Sequence, residues 1–74
     1  MIIRNSRDLT IEIKTIMLKN NIKRSDLANK LNISTSALTS RLSGNNISIN
    51  TFLEICNALN LDIDINFINK DDTN

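Results

Sequence analysis

Apolar residues at Leu9, Ile13, Ile16 and Met17 recur at i, i+4, i+7 and i+8. That spacing lines one face of a helix and predicts a first helix from about Arg7 or Leu9 to Asn20, where Asn20-Asn21 breaks it. Over residues 24–44 the apolar positions are Leu27, Leu31, Ile33, Leu38 and Leu42, with the small Ala28 between them. Two short helices joined by a tight turn at Asn32-Ile33-Ser34 account for this pattern. A fourth helix is expected over roughly residues 49–59, with Ile49, Phe52, Leu53, Ile55, Cys56 and Leu59 facing inward. After Asn60 the period drops to two. Leu61, Ile63, Ile65 and Phe67 alternate with Asp62, Asp64 and Asn66, the signature of a strand with one apolar and one acidic side.

Local signals at the helix ends agree with this division. Ile22, Ile33 and Ile47 each precede a helix start and stand five residues before Leu27, Leu38 and Phe52. Each pair can close a hydrophobic staple across the first turn. Ser34 and Ser48 are good N-caps because their hydroxyls accept from exposed backbone N–H groups. Lys23 is a poor one; Asp26 suits the positive end of that helix, and Ser25 offers a cap for a shortened version. Asn32, Gly44 and Asn60 stand just past helices, where a left-handed residue is wanted. A lone strand needs a partner for its backbone groups. The candidates are the Ile2-Ile3 segment and the same strand of a second copy, and the aspartates discourage indiscriminate edge pairing.

Seventy-four residues make a single domain, 1–74, read as a helical core over 6–60, a strand over 61–68 and a tail over 69–74. So small a core gains from dimerisation. No apolar stretch is long enough to span a bilayer, and the first five residues lack the apolar block of a signal peptide, so the expected location is cytoplasmic. There is no His and one Cys, which excludes an internal disulfide and a Cys/His zinc site. Cys56, among apolar residues and without a His as base, reads as a small buried hydrophobe. Asp62 and Asp64 read as a solvated face, Asp71 and Asp72 as a polar tail, and the single Gly rules out a glycine-rich phosphate loop. No enzyme, metal or cofactor is expected. Net charge is only +1, but it is unevenly spread. Residues 14–45 set Lys14, Lys19, Lys23, Arg24, Lys30 and Arg41 against Asp26, a net +5, whereas residues 46–74 carry a net −4. The basic half coincides with the paired short helices, whose shape is that of a helix-turn-helix with its second helix suited to the major groove.

Residues 22–61, IKRSDLANKLNISTSALTSRLSGNNISINTFLEICNALNL, resemble the phage Cro/repressor (XRE) family of helix-turn-helix domains. The resemblance covers about residues 9–61. Its more specific elements are Leu27-Ala28, the apolar pair Leu31 and Ile33 across the turn, Leu38, and the helix from Phe52 to Ala58-Leu59. It implies an all-α, lambda-repressor-like bundle of four to five short helices, DNA binding, and usually a homodimer on a two-fold operator. The C-terminal strand is similar to one that small members can use for dimerisation, which would engage Ile63, Ile65 and Phe67. The family often has Gln at the position of Arg24, touching a phosphate and steadying the first base contact; Arg24 can bind phosphate by charge. Gly usually stands where this chain has Asn32.

The positions matching the reading face are Thr35, Ser36, Thr39 and Ser40. Their hydroxyls can donate to or accept from any base, and the Thr methyls can touch thymine methyls. Specificity per contact is modest, so phosphate contacts and DNA shape carry more of the recognition. Arg41 can reach a guanine edge or a phosphate, and its place near the far end of the helix favours phosphate. Arg24, Ser34, Asn45 and Asn46 complete the phosphate set, with Lys19, Lys23 and Lys30 supplying longer-range attraction. The expected function is a sequence-specific DNA-binding regulator, a homodimeric repressor with double-stranded DNA as its partner and no membrane association. The alternatives are an antitoxin-type DNA-binding protein that also binds a partner protein, and a helical protein-interaction module.

Overall fold

Four α-helices form in the computed structural model, which describes residues 2–44 and 46–73: α1 (Ser6–Lys19), α2 (Arg24–Lys30), α3 (Thr35–Ser43) and α4 (Ile49–Ala58). A short 3₁₀ turn, Lys70–Thr73, follows. Asn5 starts α1 a little earlier than the apolar pattern alone indicates. Its side chain accepts from the Asp8 N–H at 3.2 Å, and the Asp8 carboxylate in turn accepts from the Arg4 N–H at 2.8 Å. Ser34 and Ser48 cap α3 and α4 as expected, accepting from Ala37 and Thr51 N–H at 3.1 Å each. Lys23 makes no side-chain cap, and the shortened helix capped by Ser25 does not form.

The ends of α1, α2 and α4 share one construction. Asn21, Asn32 and Asn60 are left-handed, with φ of 53°, 58° and 60°. The N–H after each reaches back five residues: Ile22 to Met17 O at 2.9 Å, Ile33 to Ala28 O at 3.0 Å, Leu61 to Cys56 O at 2.9 Å. Each Asn N–H closes the inner bond, to Leu18, Asn29 and Asn57 O. These are complete Schellman motifs, which satisfy carbonyls left orphaned at a helix C-terminus. Ile22 and Ile33 serve twice, closing one helix and standing where a staple opens the next; both pack against the core. Gly44 departs from the expectation. It is extended, with φ −78° and ψ 163°, so it is not the left-handed residue expected there.

The core is one cluster drawn from all four helices: Ile13 and Met17, Leu27 and Ala28, Leu38 and Leu42, Phe52, Ile55 and Cys56, closed by Ile47. Burying each large aliphatic side chain contributes roughly 1.5–3 kcal/mol. Two expected inward residues of α4, Ile49 and Leu53, are 59% and 45% exposed. Apolar side chains surround most of α4, and only the side carrying Phe52, Ile55 and Cys56 meets the other helices. Thr10 is buried on α1, and its hydroxyl has no hydrogen-bond partner.

The expected strand does not form. Residues 61–69 have no regular secondary structure, and no strand occurs among the described residues. The alternation persists locally, since Asn66 Nδ2 donates to Asp64 Oδ2 at 3.4 Å, placing both polar side chains on one side. A ladder needs a second strand, and Ile2-Ile3 does not supply one. The radius of gyration is 13.2 Å, against about 11 Å for a compact chain of this length. Ile63, Ile65 and Phe67 are left exposed, Phe67 at 98%.

Candidate nucleic-acid interface

α3 divides cleanly by face. Leu38 and Leu42 are fully buried and pin the helix to the core, while Thr35, Ser36, Ser40 and Arg41 are exposed. Thr35, Ser36, Thr39 and Ser40 occupy i, i+1, i+4 and i+5, which places them together on the outer face. Packing of α3 against α2 fixes the two helices as a unit. The turn between them is only Leu31 to Ser34, so α3 projects its hydroxyl face with little freedom to swing.

One contact in this unit was not legible locally. Arg24, the first residue of α2, donates from Nη1 to Thr39 Oγ1 at 3.2 Å. The guanidinium has donors only, so it takes a lone pair of Thr39 and leaves the hydroxyl hydrogen to point elsewhere. Arg24 therefore stands over the outer face of α3 and keeps other N–H groups for an anion. Ser34 is more committed. Its hydroxyl caps α3 and also lies 3.3 Å from Ser36 Oγ, so it is held by two partners within the protein.

At the far end of α3, Arg41, Ser40 and Gly44 share a cleft of about 220 Å³ with Asn46, Ile47 and Thr51. The structure thus brings together Arg41 and Asn46, two expected phosphate binders, beside Ser40, an expected base reader. Asn45, the fifth member of that set, lies outside the described residues. The start of α4 flanks the cleft: Ser48 donates its hydroxyl to Thr51 Oγ1 at 3.0 Å while capping the helix. Among the described residues, neither Arg24, Arg41, Lys23 nor Lys30 is held in an ion pair, so their charge is available to a ligand. The described residues hold no cluster of carboxylates, Cys or His able to bind a metal ion. Burial raises the Cys56 thiol above its ordinary pKa, which holds it protonated and unreactive within the core.

The surface is thus an exposed hydroxyl face on a rigid helix, with cations at both ends and no competing acid paired to them. The sequence model of the helix-turn-helix family matches residues 13–66, more than half of the chain. The chain belongs to the XRE-type helix-turn-helix family. The matched span opens within α1, takes in α2, α3 and α4, and runs into the irregular segment after α4. No curated protein matches the chain, and no solved structure does. As an XRE-type protein it is a DNA-binding transcription regulator, with α2 and α3 as its helix-turn-helix. Among the described residues, no helix is long and apolar enough to cross a membrane.

Proposed function

We propose that this XRE-type regulator is a cytoplasmic, sequence-specific repressor that binds a two-fold operator as a homodimer. The observation that carries the reading is the outer face of α3, where Thr35, Ser36 and Ser40 are exposed and Thr39 is held by Arg24. α3 enters the major groove, and Thr35, Ser36, Thr39 and Ser40 meet base edges. Arg24, Arg41, Asn45 and Asn46 hold the backbone on either side, with Ser34 contributing at the mouth of the helix. Because Arg24 occupies an acceptor site of Thr39, that hydroxyl is presented as a donor, suited to purine N7, guanine O6 or thymine O4. Repression is steric, by occupying DNA that polymerase needs.

The dimer reading rests on Ile63, Ile65 and Phe67, exposed apolar side chains at period two along a segment without regular secondary structure. Pairing this segment with its copy satisfies its backbone and covers those side chains at once. Two protomers then place their α3 helices about 34 Å apart along one face of the DNA.

Selection of bound DNA from a random pool tests the reading, followed by salt titration on the selected site. The expected result is a two-fold site. About three cation–phosphate contacts per protomer around α3 by themselves give a slope of log K against log salt near −5. Thr35→Ala with Thr39→Ala flattens the preference among sequences more than it weakens binding to random DNA. Ile65→Asp with Phe67→Asp gives a monomer by sedimentation and loses the paired half-sites. Binding insensitive to salt sinks the DNA reading, and an unchanged oligomeric state of the second pair sinks the dimer.

A further inference from the structure

A second cleft flanks α3 on its other side, between that helix and α1. It measures about 350 Å³, far more than the roughly 30 Å³ share of one water. Arg7, Thr10 and Lys14 line it from α1, and Leu42, Ser43 and Gly44 from the end of α3. Arg7, Thr10 and Lys14 follow i, i+3 and i+7, so one face of α1 carries two cations with a hydroxyl between them. No acidic side chain lines the cleft, and neither cation is in an ion pair among the described residues. Thr10 is only 3% exposed, and its hydroxyl has no partner. A buried hydroxyl left unsatisfied is costly, and helical Thr ordinarily bonds a carbonyl of the preceding turn. Gly44 lines both this cleft and the one holding Arg41 and Asn46, so the two lie on either side of the end of α3.

We infer that Arg7, Lys14 and Thr10 form a further binding site for a DNA backbone phosphate, on the α1 side of the reading helix. The inference rests on the DNA-bound arrangement proposed above. Two full positive charges face the anion, against about half a negative charge from the C-terminus of α3. One carbonyl of that end is already satisfied, since Ser43 Oγ donates to Ser40 O at 3.1 Å. The Thr10 oxygen is shielded from solvent, so it meets the phosphate by turning about χ1, a step open to Thr because it populates two rotamers in helices. The site carries no sequence information. It adds backbone affinity to a reading face of short hydroxyls.

The test uses the full chain and measures DNA affinity against salt, on the selected site and on random DNA. Arg7→Gln with Lys14→Gln is compared with Lys19→Gln and Lys30→Gln, a pair that removes the same charge from outside the cleft. One extra phosphate per protomer makes the slope of a wild-type dimer steeper by about two than the reader contacts alone give. The cleft pair is expected to lose that increment and about tenfold in affinity on both DNAs, with the preferred sequence unchanged. The control pair loses only a few-fold. Thr10→Val is expected to melt at a higher temperature than wild type yet bind DNA several-fold more weakly, a combination that loss of packing does not produce. Equal losses for the two charge pairs, with wild type still binding steeply with salt, overturn the cleft site alone, as does unchanged binding by Thr10→Val. A wild type without salt-dependent binding overturns the DNA arrangement itself, and the cleft phosphate with it.

Discussion

Asn32 sets the turn of the helix-turn-helix, and its replacement isolates a single physical term. It is left-handed at φ 58° and exposed, so no buried contact goes with its side chain. A left-handed conformation costs an ordinary L-residue roughly 1–2 kcal/mol, and Asn less. Asn32→Ala therefore costs about 1 kcal/mol. Asn32→Gly removes the Cβ penalty but adds roughly 0.5–1 kcal/mol of unfolded-state entropy, so it stays close to wild type. For a domain of this size, 1 kcal/mol is about 4–8 °C in Tm. Total stability expected from length is about 4–11 kcal/mol. Changing Asn21, Asn32 and Asn60 together to Ala thus removes a large share of it. Thermal and urea unfolding followed by circular dichroism measure the series, at one fixed protein concentration because assembly shifts apparent stability. An alanine variant as stable as wild type, or a glycine variant less stable than the alanine one, would refute the reasoning.

Two further outcomes follow from particular residues. Gly44 is extended, and a Cβ built there meets nothing nearer than Ser40 O at 3.9 Å. Gly44→Ala is accordingly expected to gain about 0.4–1 kcal/mol by restricting the unfolded chain, and a lower Tm would contradict it. Cys56 is buried with a raised thiol pKa, so it reacts with a thiol reagent at neutral pH only as fast as the protein opens. Because the folded pKa lies above the unfolded one, its contribution is complete below the unfolded value of about 8.5 and is lost as pH climbs through the folded value. Urea unfolding across that alkaline range should show a fall that Cys56→Ala lacks.

Signals contained within six or seven residues were legible. The Asn32 and Asn60 turns and the Ser34 and Ser48 caps are satisfied by their own neighbours along the chain, so residue type alone indicates them. Gly44 misled because Gly permits a left-handed backbone without requiring one. Ile49 and Leu53 misled because α4 is apolar on most sides, and which side is covered depends on how many helices surround it. The alternation after Asn60 does report polar side chains sharing a side, as Asp64 and Asn66 do. A strand is a property of two segments, and one segment cannot announce its neighbour. That Thr35, Ser36, Thr39 and Ser40 share one face of a helix was legible from their spacing. The Arg24–Thr39 bond was not, because fifteen residues separate its ends and only the packing of α2 on α3 brings them together.

The division of α3 into a buried stripe and an exposed hydroxyl face bears on how such a protein changes its target. Leu38 and Leu42 carry the fold, whereas Thr35, Ser36 and Ser40 are exposed and form no part of the core. Those three positions can drift without risking collapse, so under the proposed function new operator preferences would arise at little structural penalty. Thr39 is the exception. It is half-buried and tethered to Arg24, so altering it also frees a cation, and the two positions are expected to change as a pair.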